Sequence, residues 1–388
     1  MASAPTNSDA NAICARDRHL FAPGRKRILS IDGGGVRGVV ALAFIGRLEA
    51  ILAEKAGRAI RLCDYFDFIG GTSTGAIVAT GLALGYSATE IRDFYFRLAP
   101  RIFRKPFFRL PFWQAKFDAE ALRREITGIL GDRCLDSPDL QTGLGVMLKR
   151  IDAGGAWILT NNPRAKYWET PSDGSFIGNR HYSLANIVRA STAAPHYFNP
   201  QEIPIVEGAP PALFVDGGLT PHNDPSLALL LATVMPCYRI GWGLGADKLT
   251  VVSVGTGSYR VRFNVEDLRR GSSVTIALLS LVQQISENQQ LILSLMSWLG
   301  AGGARWPINS EMGDLAEVEA PFGAQFRFLR YDVKLEADWL RDALGVSVTP
   351  REVAQIRRFD DPDAISLLYE IGARAANVQI VETDIDVA

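Results

Sequence analysis

Three short stretches carry residue types that fit one reaction: Asp32-Gly33-Gly34-Gly35-Val36-Arg37-Gly38, Gly71-Thr72-Ser73-Thr74-Gly75 and Asp216-Gly217-Gly218. A serine with a glycine two residues to either side can stand on a sharp turn with its hydroxyl exposed. A carboxylate can take that hydroxyl's proton, and a row of glycine amides can receive charge developing on an attacked carbonyl. Nucleophile, base and oxyanion donors together specify acyl transfer. The candidate catalytic pair is Ser73 and Asp216. The candidate oxyanion hole is Gly33, Gly34 and Gly35 with Arg37 nearby, and Gly71 and Gly75 shape the turn.

Each stretch alone has a plainer meaning. GxSxG also occurs in ordinary strand-to-helix turns, and Asp-Gly-Gly is common turn chemistry. Gly33-x-Gly35-x-x-Gly38 also fits a dinucleotide fingerprint, which wants an acid ending the next strand about 20 residues on. Glu49 and Glu54 fall instead inside an expected helix. The absence of Gly-Lys-Ser/Thr excludes a P-loop. A serine hydrolase with a late histidine is also excluded, because the last histidine is His222. A carboxylate acting directly on the serine is the first choice of base, with His196 or His222 as runners-up. A free aspartate, with a pKa near ~3.9, is a weak base, so Asp216 must be desolvated or held tightly against the hydroxyl.

The elements that must position these residues follow from apolar patterning. Lys26 to Ile31 reads as a strand running into glycines, and Gly38 to Ala56 has helical spacing. Tyr65 to Ile69 is expected to be a second strand and Gly75 to Leu84 a second helix. Ser87-Ala88-Thr89-Glu90 has capping-box form. Further strands are expected at 146–150, 156–161, 213–215 and 249–254. Further helices are expected at 183–194, 227–235, 274–299 and 362–376, the last capped by Asp361 with Pro362 at its first position. Strands alternating with helices predict a mostly parallel sheet covered on both faces. Residues 1–25 read as a disordered lead-in, and 26–385 as a single domain. Its core spans about 27–257, and a C-terminal helical portion about 258–385.

At 388 residues and 47% hydrophobic content the chain can bury a large core. A net charge of -1 gives no electrostatic case for nucleic acid. The four cysteines are far apart, with no CxxC, and suggest reduced thiols in a cytoplasmic protein. No HExxH spacing or other ligand set points to a metal, and no other cofactor is implied. No secretory leader or run long enough to span a bilayer is evident. Any membrane contact is therefore expected to be peripheral. Residues 101–117 set Phe107, Phe108 and Trp113 among arginines and lysines, as a lid or anionic-membrane contact would, or as a loop whose rings fill the core.

The trio DGGGVRG, GTSTG and DGG resembles the patatin-like phospholipases. So do the stretches Ser191 to Phe198 and Ser253 to Gly257, and the similarity extends over about residues 27–385. The resemblance implies a three-layer α/β/α fold and a Ser–Asp dyad without a catalytic histidine. It also implies hydrolysis of lipid acyl esters, generally without a metal. Carried over, Ser73 is the nucleophile, Asp216 the base, and Gly33 to Gly35 with Arg37 hold the oxyanion. Two departures touch the pocket: Asn223-Asp224-Pro225 where Asn-Asn-Pro is common, and His196 where threonine is frequent. Alternatives left open are an acyltransferase or thioesterase on the same dyad, a lipase switched by a partner or ligand, and a lipid-binding protein with a silent site. Head group, chain length and oligomeric state, a homo-oligomer included, stay undetermined.

Overall fold

In the computed structural model, residues 14–103, 119–260, 263, 265–270, 272–304, 306–315, 318 and 320–386 are described. The strand β1 (Lys26–Ile31) is buried on both faces. Leu29 and Ile31 enter one apolar core and Ile28 the other. Its apolar residues Ile28, Leu29 and Ile31 fall on both faces, which calls for two-sided burial. With it pair β2 (Phe68–Thr72), β3 (Gly143–Arg150), β4 (Gly155–Thr160), β5 (Gln201–Ile203), β6 (Ala212–Asp216), β7 (Leu249–Val254), β8 (Gly300–Gly303) and β9 (Phe326–Tyr331).

These strands form one sheet in the order β5-β6-β3-β2-β1-β7-β9-β8, with β4 also on β3. The pairs from β3 through β2, β1, β7 and β9 to β8 are parallel, while β4 and β6 run antiparallel to β3. Helices Gly38–Ala56, Thr74–Ala83, Ala88–Ile102, Leu184–Ser191 and Ile365–Gln379 pack on one face. Helix Ser226–Val234 and the end of Ser273–Leu299 pack on the other. The arrangement is the expected three-layer α/β/α fold with a mostly parallel sheet.

One local feature of the sheet positions the site. Strand β3 pairs along one edge with β4 from Gly145 to Arg150. Its other edge is shared end to end: β2 occupies Gly143 to Met147, and β6 takes over at Leu148. Thr72 lies opposite Met147 and Asp216 opposite Leu148, so the end of β6 abuts the end of β2.

Several boundaries differ from expectation. Ala15–Phe21, inside the expected disordered lead-in, is a helix whose Leu20 is buried in the second core. The Trp242 indole donates to the Leu20 carbonyl at 2.8 Å, and His19 Nδ1 lies 3.0 Å from Asp67 Oδ1. This short polar segment is held by docking rather than by periodicity. The second strand begins later, at Phe68, and runs through both glycines to Thr72, because Leu62–Tyr65 closes a helical turn first. The C-terminal portion is not purely helical, since it supplies β8 and β9 to the sheet. The Ser87 cap forms as expected, its hydroxyl accepting from the Glu90 amide. Phe107, Phe108 and Trp113 lie outside the described residues. Among the described residues no helix is long and apolar enough to cross a membrane.

Candidate active site

The serine turn is built by close backbone packing. A Cβ at Gly71 would strike the Gly75 carbonyl, and one at Gly75 would strike the Ile31 carbonyl. Only glycine at both positions lets β2 reverse directly into helix Thr74–Ala83. Ser73 sits between them at φ 55, ψ -124, a conformation that costs a non-glycine residue roughly 1–3 kcal/mol. The surroundings enforce it: the Ser73 amide donates to Ser191 Oγ at 2.9 Å, and Ser191 Oγ donates to the Met147 carbonyl at 2.7 Å.

The turn aims the Ser73 hydroxyl at the end of β6. Ser73 Oγ donates to Asp216 Oδ2 at 2.7 Å, across 143 residues of sequence. The other carboxylate oxygen, Oδ1, accepts from the Gly218 amide at 2.7 Å. Asp216 is 5% exposed. Burial raises its pKa to about 6, against the opposing pull of both hydrogen bonds and of the Arg189 charge. Arg189 is itself buried, which pulls its guanidinium down to about 10. It donates to the Asn199 carbonyl at 3.0 Å and faces the Phe198 ring. Neither runner-up base reaches the serine hydroxyl: His196 is exposed, and His222 contributes its carbonyl to the Thr72 hydroxyl at 2.5 Å.

The glycine row lies beside this pair but does not converge as a set. The Gly33 amide donates to the Asn223 carbonyl at 3.0 Å, which removes it from the expected oxyanion donors. The chain leaving β1 is laced to the 220–224 loop at that point. The Gly34 amide leans on the Thr74 hydroxyl at 3.2 Å, a partner that can rotate away. The Gly35 amide has no partner among the described residues. With the Gly33 amide committed to a backbone carbonyl, the row does not form a pyrophosphate cradle.

Arg37 also departs from the expected role. Its guanidinium carbon lies over the Phe359 ring, 4.1 Å from the centroid, and 5.7 Å from that of Tyr259. Its amide donates to the Gly34 carbonyl at 3.1 Å, so it steadies the loop.

Beneath the row lies a buried ionic cluster that sequence reasoning missed. Arg330 on β9 is held between Asp32 (2.6 Å), Asp332 (2.9 Å) and Asp224 (3.3 Å). Gln289 on helix Ser273–Leu299 donates to Asp32 Oδ2 at 2.9 Å. Burial, with two neighbouring carboxylates, holds the Asp32 carboxyl well above the usual range despite Arg330. The positions 32, 224, 330 and 332 show no motif that would have linked them. Among the described residues no group of three or more His, Cys, Asp and Glu is placed to hold a metal ion. Ser191, Arg189 and Thr74 were likewise missed as partners of the site. Ser191 and Arg189 lie in or beside a stretch that carried the family resemblance, which was their only signal.

A family model described as patatin-like phospholipase matches residues 29–230. The chain is 30% identical over 246 residues to a cGAMP-activated phospholipase of Vibrio cholerae, covering 59% of this chain and 64% of that one. It is 30% identical over 278 residues to patatin-like protein 2 of Arabidopsis thaliana, covering 62% of each. The chain thus spans somewhat under two thirds of the length of these curated relatives. Among solved structures it is similar to human GIVD cytosolic phospholipase A2, with a TM-score of 0.42 and 11% identity, covering 94% of this chain and 60% of that one.

Proposed function

Because the chain belongs to the patatin-like phospholipase family, we propose that it hydrolyses fatty-acyl esters of lipids through Ser73 and Asp216. The observation that carries this is the 2.7 Å hydrogen bond between the two side chains at a strained strand-to-helix turn. Asp216 Oδ2 takes the hydroxyl proton as Ser73 Oγ attacks the ester carbonyl. The developing oxyanion is received by the Gly35 amide, by the Thr74 amide at the helix start, and by the Gly34 amide once the Thr74 hydroxyl turns away. Loss of one such donor costs roughly 2.7–4 kcal/mol of barrier. Asp216 then gives its proton to the departing alcohol, leaving the acyl group on Ser73. Water, deprotonated by the same carboxylate, releases the fatty acid.

Its raised pKa makes Asp216 a better base than a free aspartate while leaving it ionised at neutral pH. An apolar cavity of about 360 Å³ starts one helical turn along from Ser73. Ile77, Gly81, Ile91, Phe94, Ile126 and Val188 help line it, and it suits an acyl chain. Ser73→Ala, assayed on p-nitrophenyl acyl esters and by lipid profiling of a membrane extract, should be inactive. Substantial turnover in that variant would end this mechanism.

A second reading keeps the same chemistry but gates it with a small ligand. It is favoured by two relatives, about 30% identical, that are named cGAMP-activated phospholipases.

A further inference from the structure

A second cavity, of about 450 Å³, is lined by Tyr197, Tyr259, Ala354, Arg357, Arg358, Phe359 and Asp360. It brings together three aromatic rings, two arginines and one buried acid. Arg358 is already paired, with Asp360 at 3.3 Å and Asp361 at 3.8 Å. Among the described residues Arg357 is not paired with an acid. Its guanidinium lies 4.9 Å from the Tyr259 centroid, and its Nε donates to the Leu335 carbonyl at 2.8 Å.

Arg37 adds a third cation behind the wall. It is 6% exposed, and its guanidinium rests on two of the rings that line the cavity, Phe359 and Tyr259. Its Nε is buried without a hydrogen-bond partner, while the carboxylates of Asp332 and Asp32 act on its charge. Guanidiniums suit phosphate, and flat rings suit a heterocyclic base. A zwitterionic lipid head group would bring its ammonium against cations already stacked on these rings.

The walls of this cavity also reach both halves of the active site. The Phe359 carbonyl accepts the Val36 amide at 2.8 Å, so one wall is hydrogen-bonded to the oxyanion loop. Tyr197 follows His196, which is held at φ 73. The Ala193 carbonyl, at the start of the same turn, accepts the Asp216 amide at 3.1 Å.

We propose that this cavity binds a nucleotide, with phosphate on Arg357 and base against the tyrosine and phenylalanine rings, and that occupancy sets the oxyanion loop. The inference rests on the gated reading above and gives that reading a place in the molecule.

The test separates binding from turnover. Calorimetry on the Ser73→Ala protein compares cGAMP, AMP, glycerophosphocholine and inorganic phosphate. A nucleotide should bind saturably, and Tyr259→Ala and Arg357→Met should each weaken it about tenfold or more. Tyr259→Phe, which keeps the ring, should restore most of the affinity. With Ser73 intact, the same nucleotide should change ester turnover, and Tyr259→Ala should blunt the response. No binding of either nucleotide would overturn the proposal. So would equal binding by variants with unchanged melting, glycerophosphocholine binding as tight as the nucleotides, or binding with no effect on turnover. Because the calorimetry uses a protein without its serine nucleophile, none of its outcomes depends on the catalytic mechanism being right.

Discussion

Asp32 and Asp216 occupy the same sequence context. Asp32 comes just after one buried strand and Asp216 closes another, and both precede two glycines, yet the fold gives them different work. Asp32 is fully buried, bound by both terminal nitrogens of Arg330 and by Gln289. Nothing about it is free to react. Asp216 is almost as buried but has no ion pair among the described residues; it holds a serine hydroxyl and one amide, with Arg189 acting through its charge. Burial raises the pKa of both carboxyls. What separates a structural carboxylate from a reactive one here is the partner: a guanidinium, which fixes it, or a hydroxyl, which gives up a proton.

Substitutions on either side should break different properties. Asp216→Asn should lower ester turnover by roughly 10²–10⁴-fold while the protein melts no earlier than the parent. Turnover within a few-fold of the parent would make the two aspartates alike. Arg330→Leu should act on folding, leaving three carboxylates without their cation and costing about 3–5 kcal/mol in urea unfolding. A negligible loss would show that Asp32 is not held by that cluster.

The pH dependence sharpens the contrast. Asp216 must be ionised to act, so kcat/KM should fall as pH drops through about 6. Stability should move the opposite way. A carboxyl with a raised folded pKa contributes most below its unfolded value near ~3.9, and that contribution fades as pH rises through the folded value. The loss amounts to roughly 3 kcal/mol. Asp216→Asn should remove this part of the stability profile, read as the difference between the two proteins' melting curves across pH. The smallest effect belongs to Ser191→Ala. It deletes the acceptor of the Ser73 amide and should cost about 1–2 kcal/mol, seen in kcat more than in melting temperature.

The residue types of the dyad were legible in the sequence because each sits beside glycines at a strand end. The parallel core was legible because its strands carry clusters of apolar residues that are buried on both faces. Strand β9 was not, since Phe326-Arg327-Phe328-Leu329-Arg330-Tyr331 interrupts its apolar pattern with charge, and Arg330 is buried only because three distant aspartates meet it. The oxyanion row was over-read for a similar reason. Three glycines announce available amides, but whether each is spent depends on a loop nearly 200 residues away, as the Asn223 carbonyl shows for Gly33. The helix Ala15–Phe21 escaped notice because a single turn or two of polar chain carries too little periodicity to register.

The end-to-end seating of β2 and β6 on β3 has a practical consequence. The spacing of the two reacting side chains is ruled off by consecutive rungs, Met147 and Leu148, of a shared strand. Surface connections elsewhere between positions 73 and 216 do not set it. Such connections can be lengthened, or the chain reopened there and its natural ends joined, without retuning the chemistry. Slipping β6 by one residue against β3 would instead turn the Asp216 side chain to the other face of the sheet and extinguish the chemistry at a stroke.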